Sequence, residues 1–229
     1  MNRLTTDQLR RMLLYSARVI VENEPYLTKI DTIIGDGDHG IGMKRGFTAL
    51  EEMLSTTAFE NPAQLFRATG IELVKTMGGA SGVIFGTLFI GGLEHLTDSN
   101  GVTAAQLAAF FDAGQQAIQK RGKAKPGQKT MLDALAPAVE AMEKSAAESD
   151  DIKALLEAAS LAAQAGAAHS STLRSRTGRS KNFHEATIGH PDPGAISTSL
   201  IFKAFSDFLY GEETDESPST NIPLHRLEI

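Results

Sequence analysis

The feature of this sequence that most constrains its fold is a succession of helical segments without any pair of alternating strands. Two capping boxes, each a threonine followed three residues later by a glutamine, mark helix starts at Thr5 and Thr103. Asn61 followed by Pro62 gives a third start, an N-cap before a proline at the first helical position. Apolar residues then recur with helical periodicity. We predict about eight helices, at about 5–23, 40–54, 61–78, 82–96, 103–120, 130–147, 151–172 and 192–210.

These helices predict an all-α fold. The segment GVIFGTLFIGGLEHL, residues 82–96, is apolar on every side and predicts a central buried helix. Only the TII at 32–34 resembles a short strand, and no partner for it is evident. Because most connections are short, we expect one domain over residues 1–210, a bundle of about eight antiparallel helices. Residues 211–229 form an acidic, proline-containing tail.

Composition excludes several classes of function. The 229 residues include no cysteine, which rules out disulfides, zinc–thiolate sites and thiol nucleophiles. A net charge of −6 argues against an extended nucleic-acid-binding surface. The N-terminal residues lack the apolar core of a signal peptide, and no apolar run reaches membrane-spanning length. We therefore predict a cytoplasmic protein with neither nucleic-acid nor membrane partners.

The segment DTIIGDGDHGIGMKRGF, residues 31–47, concentrates negative charge at Asp31, Asp36 and Asp38. Glycines between the acids allow the loop to curl, so that three hard oxygen ligands for a divalent cation could converge. A calcium-binding EF-hand loop begun at Asp36 would need an acid where Phe47 stands. Magnesium, which is usually shared between carboxylates and phosphate oxygens, fits better. Two alternatives stay open: a turn that merely caps the next helix, and a nucleophilic Asp36 of the haloacid-dehalogenase type.

Three further loops carry features that suit a phosphate ligand. Residues 78–82, GGASG, form a glycine-rich turn that opens a helix. Residues 122–130, GKAKPGQKT, resemble a Walker A loop but have one residue too many before the lysine and follow a helix. Residues 173–191 form a basic stretch long enough to be a lid, and Asp192-Pro193-Gly194 opens the last helix. Each of these features alone is also compatible with an ordinary turn, solvated loop or helix cap.

The positions of these loops predict that they share one end of the bundle. In an up-and-down bundle, loops that are two helices apart lie at the same end. The 24–39, 78–82, 121–130 and 173–192 loops follow the first, third, fifth and seventh predicted helices. Acids for a metal, glycines for phosphate and arginines for charge would therefore converge on one site.

Four motifs, IGDGDHGIGMKRGF, GGASGVIFGTLF, RGKAKPGQKTMLDAL and IGHPDPGA, resemble the nucleotide-binding L subunit, or L domain, of dihydroxyacetone kinases. The resemblance extends from the first helix to about Tyr210 and implies a barrel of eight antiparallel helices with the nucleotide at one end. It implies two Mg²⁺ ions, held by Asp31, Asp36 and Asp38, that bridge the phosphates of ADP or ATP. It also implies the following nucleotide contacts: His39, Gly40, Ile41, Gly42, Ala80 and Ser81 at the phosphates, Gly122, Thr130 and Met131 at the adenine and ribose, and Arg179, Asp192, Pro193 and Gly194 closing the pocket.

The resemblance further implies a phosphotransferase that works with a partner. A separate K subunit would hold the short-chain ketose covalently through its own histidine, so no histidine of this chain need be a nucleophile. Among the histidines here, His39 and His190 are the candidates for ligand contacts, and Arg179 is the candidate catalytic cation of the lid. The donor stays open between a phosphohistidine carrier protein of the phosphotransferase system, acting through bound ADP, and ATP. A nucleotide-binding regulator or a fatty-acid-kinase-like domain is the alternative.

Overall fold

The computed structural model describes residues 1–98 and 100–211, so the predicted tail lies, after its first residue, outside the described residues. Within them the chain forms nine α-helices, short 3-10 turns at Leu93–His95, Ser170–Thr172 and Ser180–Thr187, and two strands of two residues each, β1 (Arg3–Leu4) and β2 (Val102–Thr103). The α-helices are α1 (Thr6–Glu22), α2 (Glu24–Ile34), α3 (His39–Thr56), α4 (Pro62–Met77), α5 (Gly79–Ile90), α6 (Ala104–Gly122), α7 (Leu132–Glu148), α8 (Ile152–His169) and α9 (Pro193–Gly211).

Eight of these helices form a closed ring. Contacts run from α1 to α3, then through α4, α5, α6, α7, α8 and α9 in sequence order, and α9 packs back against α1. Fully buried phenylalanines fill the middle of the ring: the Phe66 and Phe110 ring centroids are 4.6 Å apart, and those of Phe111 and Phe202 are 5.1 Å apart. The predicted all-α barrel is therefore confirmed. None of the described helices is both long and apolar enough to cross a bilayer.

Helix α2 is the main departure from the sequence prediction. Residues 24–39 do not form one long loop, and TII at 32–34 is helical rather than a strand. Leu27, Ile30 and Ile34 are buried at helical spacing, which outweighs the β-branched composition. Thr32 fits because its hydroxyl donates a hydrogen bond to the Thr28 carbonyl, 2.8 Å away. Because α2 contacts α3 and α9, it adds a ninth helix beside the ring.

Helix α5 is one member of the ring rather than its central helix, so the prediction for 82–96 was wrong in this respect. Its residues Val83, Ile84 and Ile90 are partly exposed, and the helix ends at Ile90. Helix α9 is buried over most of its length instead. Its hydroxyls tolerate burial because Ser197 and Thr198 each donate to a carbonyl four residues earlier, at 2.9 Å.

The two short strands pair in antiparallel fashion, a contact that the sequence did not predict. Arg3 lies opposite Thr103, and Leu4 lies opposite Val102. This pairing holds the segment before α1 against Thr103, which is the N-cap of α6.

Candidate functional site

The three predicted metal ligands converge where α2 ends and α3 begins. Asp31 lies in the last turn of α2, Asp36 in the connecting turn and Asp38 immediately before α3. One carboxylate oxygen of each residue lies within 4.8 Å of those of the other two. The turn closes this tightly because Gly37 adopts a φ of 74°, which glycine reaches without strain. Three converging carboxylates are a suitable ligand set for a hard divalent cation such as Mg²⁺.

The cluster attracts positive charge across a long sequence separation. The Arg179 guanidinium, in the basic 173–191 segment, forms ion pairs with Asp36 and with Asp38, the latter at 3.2 Å. We call residues 173–191 the lid. The structure thus places the predicted lid cation directly at the predicted metal ligands.

His39 joins this cluster to the start of α9. Its backbone N–H donates to the Asp31 carboxylate at 3.1 Å, and its ring Nε2 lies 2.6 Å from the Ser197 hydroxyl oxygen. Ser197 donates its hydroxyl hydrogen to the Pro193 carbonyl, so Nε2 of His39 carries the hydrogen in the bond between them. Burial lowers the pKa of His39 to about 4, and the Asp31 carboxylate only partly offsets this. His39 is therefore a neutral imidazole at pH 7.

The glycine-rich turn between α4 and α5 supplies free backbone donors. Gly78 and Gly79 have positive φ values of 72° and 61°, and no atom lies within 4 Å of where a Cβ of Gly79 would be. Beyond them, Ala80 and Ser81 occupy the first turn of α5, where N–H groups have no partner within the helix. An anion can approach this turn closely, as the sequence indicated.

Arg45 fixes the turn from the neighbouring helix α3. From α3 its side chain donates to the carbonyls of Thr76, at 2.6 Å, and Met77, the last two residues of α4. The guanidinium therefore neutralises the negative end of α4 next to the glycine turn. Sequence reasoning missed Arg45, although its place one helical turn after Ile41 puts the two on one face of α3.

The start of α9 and the α6–α7 loop complete the site. The Asp192 carboxylate accepts a hydrogen bond from the Ala195 N–H at 2.8 Å and caps α9. Burial raises the pKa of Asp192 to about 7, and the nearby Asp133 carboxylate adds to the rise. Asp133 in turn accepts hydrogen bonds from the N–H groups of Gly127 and, at 2.7 Å, Thr130. These bonds give the loop a fixed shape ahead of α7.

The acidic cluster, the glycine-rich turn, the end of the α6–α7 loop, part of the lid and the start of α9 surround one cavity of about 440 Å³. Most of the predicted site residues line it, together with several that the sequence did not single out. The predicted lining residues are Asp31, Asp36, Asp38, His39, Ile41, Gly42, Ala80, Ser81, Thr130, Met131, Arg179, Asp192, Pro193 and Gly194, and the further ones include Arg45, Ile84, Phe85, Lys129 and Ser180. The predicted convergence of the four loops is therefore observed. In the structure these loops follow helices α2, α4, α6 and α8 rather than the first, third, fifth and seventh, because α2 was not among the predicted helices.

Gly40, Gly122 and His190 do not line the cavity. Gly40 is buried between helices, where a Cβ would lie 2.6 Å from the Glu24 carbonyl oxygen, so it is glycine because α2 packs on α3. A Cβ at Gly122 would make an ordinary contact 3.5 Å from Ile84. The His190 carbonyl accepts a hydrogen bond from the Lys129 ammonium.

Comparison with known proteins identifies the family. The family model described as the DAK2 domain matches residues 33–207, more than half of the chain. The chain is 37% identical over 200 residues to the ADP-binding subunit DhaL of the PEP-dependent dihydroxyacetone kinase of Escherichia coli, covering 87% of this chain and 95% of the relative. It is 35% identical over 185 residues to the corresponding subunit DhaL of dihydroxyacetone kinase 1 of Listeria innocua, covering 81% of this chain and 87% of the relative.

A solved structure supports the same conclusion. The dihydroxyacetone kinase of C. freundii in complex with AMP-PNP and Mg²⁺ superposes with a TM-score of 0.71 at 25% sequence identity. The match covers 89% of this chain and 34% of that protein, so this chain spans about a third of its length. The chain belongs to the DAK2-domain family, in which it is similar to the ADP-binding L subunits of dihydroxyacetone kinases.

Proposed function

We propose that this chain is the nucleotide-binding, phosphoryl-transfer subunit of a kinase for dihydroxyacetone or a related short-chain ketose. The observation that carries the proposal is the convergence, on one 440 Å³ cavity, of three aspartates, a lid arginine and the N-terminal turns of α3 and α5. Carboxylates for a metal and free N–H groups for phosphate oxygens are the two components that a Mg-nucleotide site needs. The similarity to ADP-binding subunits supports the same conclusion.

Different residues would bind the metal ions, the phosphates and the transferred phosphoryl group. Asp31, Asp36 and Asp38 would hold two Mg²⁺ ions, which supply charge neutralisation for the phosphate oxygens when bound. The first turn of α5, at Ala80 and Ser81, presents backbone donors to the phosphates. Arg179 brings a guanidinium to the same place, where it stabilises the charge that spreads over the transferred phosphoryl group.

A partner must supply the ketose. We infer a separate K-type subunit, which holds the ketose so that its hydroxyl oxygen faces the terminal phosphorus at the open end of the barrel. The names of the relatives, PEP-dependent and ADP-binding, favour a donor that recharges bound ADP, such as a phosphohistidine carrier protein. In-line positioning and electrostatic stabilisation then account for the transfer, without a nucleophile from this chain.

The test is the Asp36→Asn variant. Asparagine keeps the size of the side chain but removes one of the three ligand charges, so Mg-dependent ADP binding in calorimetric titration should be lost while the far-ultraviolet circular dichroism stays unchanged. Asp150→Asn, at an exposed position between α7 and α8, is the matched control and should bind as the wild type does. Wild-type-like binding and phosphoryl transfer by Asp36→Asn would refute the metal assignment.

A nucleotide-binding regulator would behave differently. Such a protein would bind Mg-ADP in the same titration, yet would support no phosphoryl transfer to dihydroxyacetone with any K subunit supplied. Transfer that depends on both Asp36 and an added K subunit is the result expected for the kinase subunit.

A further inference from the structure

Lys129 is a buried cation whose hydrogen-bonding capacity is fully used. Its side chain is 1% exposed, although it lies beside the cavity. The ammonium group donates to the carbonyl oxygens of Ser170 at 2.6 Å, Leu173 at 3.1 Å and His190. An ammonium has three N–H donors, so these three carbonyls account for all of them.

Two of the three carbonyls belong to the ends of the lid, and the third, that of Ser170, lies just before its first residue. Ser170 and Leu173 lie where the chain leaves α8 and enters the lid, and His190 lies at its far end. The ends are also joined directly, because the Gly189 N–H donates to the Ser171 carbonyl at 2.8 Å. Lys129 therefore binds both ends of the lid from a third segment, the α6–α7 loop.

The surroundings of Lys129 show that this arrangement is costly and specific. Lys129 has a φ of 59°, a left-handed conformation that a non-glycine residue adopts only when its surroundings require it. Burial lowers the pKa of its ammonium, and the neighbouring Asp192 and Asp133 carboxyls oppose that change. A buried cation with three carbonyl acceptors is stabilised only while all three stay in place.

This arrangement also distinguishes the GKAKPGQKT segment from the Walker A loop that it resembles. Lys129 lies one residue beyond the place of the phosphate-binding lysine in such a loop, and no donor of its ammonium remains for a phosphate. We propose that Lys129 is a positioning residue, which fixes both ends of the lid and thereby holds Arg179 at the acidic cluster. The first half of this inference, that Lys129 fixes both ends of the lid, stands on geometry alone. The second half, that Lys129 thereby holds Arg179 in place for nucleotide binding, rests on the proposed function.

The first half can be tested without nucleotide, by hydrogen exchange of backbone amides in the full chain. In Lys129→Met the lid loses three charge-assisted hydrogen bonds, so the amides of Gly189 and of Ser175, which donates to Thr187, should exchange at least about tenfold faster. The amides of α3 and α4 should keep their protection. Lys125→Met, an exposed position in the same loop, is the matched control and should leave lid exchange unchanged.

A second variant covers the case in which Lys129→Met fails to fold. Lys129→Gln retains two N–H donors and should give a smaller acceleration of the same lid amides. Lid exchange that matches the Lys125→Met control, or an acceleration equal in the lid and in α3, would overturn the inference.

The second half is tested by a double-mutant cycle on Mg-ADP affinity. If Lys129 acts through Arg179, then Lys129→Met and Arg179→Met each weaken Mg-ADP binding. The double variant then has about the same affinity as the single variant that binds Mg-ADP more weakly. Fold-changes that multiply would mean that Lys129 acts independently of Arg179 and would refute the positioning role. If the wild type binds no Mg-ADP while lid exchange responds as expected, the proposed function fails and the fixing of the lid by Lys129 stands.

Discussion

Replacing Asp192 by asparagine should change how the stability of the protein depends on pH. The Asp192 side chain is 8% exposed at the start of α9, and one of its oxygens accepts the Ala195 N–H. Asparagine can make the same capping bond through its amide oxygen but cannot ionise. The substitution therefore removes the titration and keeps the cap.

The size of the effect follows from the shift. Burial raises the pKa of Asp192 from 3.8 to about 7. Between these values the folded protein holds a proton that the unfolded chain has released, so the free energy of unfolding falls as pH rises. Raising the pKa of Asp192 by about three corresponds to about 4 kcal/mol in the free energy of unfolding. From pH 4 to pH 8, Asp192→Asn should thus gain about 4 kcal/mol of stability relative to the wild type.

The measurement is urea unfolding, followed by circular dichroism at intervals from pH 4 to pH 8 without Mg²⁺ or nucleotide. Asp150→Asn removes an equal charge at an exposed site and serves as the control. The difference between Asp192→Asn and the wild type should rise through this range, while the control runs parallel to the wild type. Parallel curves for Asp192→Asn would show that Asp192 is ionised throughout and would refute the reasoning.

Three further outcomes are expected. Gly86→Ala would place a Cβ 2.4 Å from Val74 Cγ2, where α4 and α5 approach closely, and should lower the free energy of unfolding in urea by about 2 kcal/mol. Gly122→Ala is the control: its nearest contact would be at 3.5 Å, so its free energy of unfolding should stay within about 1 kcal/mol of the wild-type value. Arg45→Met loses two hydrogen bonds to the end of α4 and should weaken ADP binding about tenfold, with a smaller effect on AMP binding. Equal losses of affinity for ADP and AMP would contradict a role of Arg45 at the glycine-rich turn. Mass spectrometry of protein purified without added nucleotide should find retained ADP, and an empty site that exchanges ATP freely would favour direct use of ATP.

Much of the fold could be predicted because its signals are local. Capping boxes at Thr5 and Thr103 are present in the structure with both reciprocal bonds, and Asn61 caps α4 as expected. Helix α2 escaped prediction because the acidic and β-branched residues 31–34 suggested a loop with a short strand, whereas burial of Ile30 and Ile34 decides the conformation. Tertiary packing outweighed local preference there.

The candidate site was predictable where residue type and spacing carry the chemistry. The convergence of Asp31, Asp36 and Asp38 could be predicted because three carboxylates in eight residues repel one another unless positive charge lies among them, as the Arg179 guanidinium does here. The roles of Arg45 and Lys129 could not be predicted, because the carbonyls they bind lie more than thirty residues away in the sequence. The role of a long cation depends on which backbone groups the fold brings within its reach.

Across the predicted motifs, glycine had the least predictable role. Gly79 leaves open space for a ligand, whereas Gly40 allows two helices to touch, and both stand in equally glycine-rich sequence. The sequence shows that a small residue is required but not which neighbour requires it. Only the assembled helices distinguish close packing from ligand approach.

The central claim is that Asp31, Asp36 and Asp38 hold divalent ions that bind the phosphates of a nucleotide at one end of the helical ring. Crystals grown with ADP and Mn²⁺ test it most directly, because Mn²⁺ replaces Mg²⁺ at oxygen ligands and gives an anomalous signal. We predict anomalous peaks among these three carboxylates, with diphosphate density extending toward Ala80 and Ser81 and Arg179 displaced from the acids. Peaks elsewhere, or ADP bound with the aspartates still paired to Arg179, would contradict the claim.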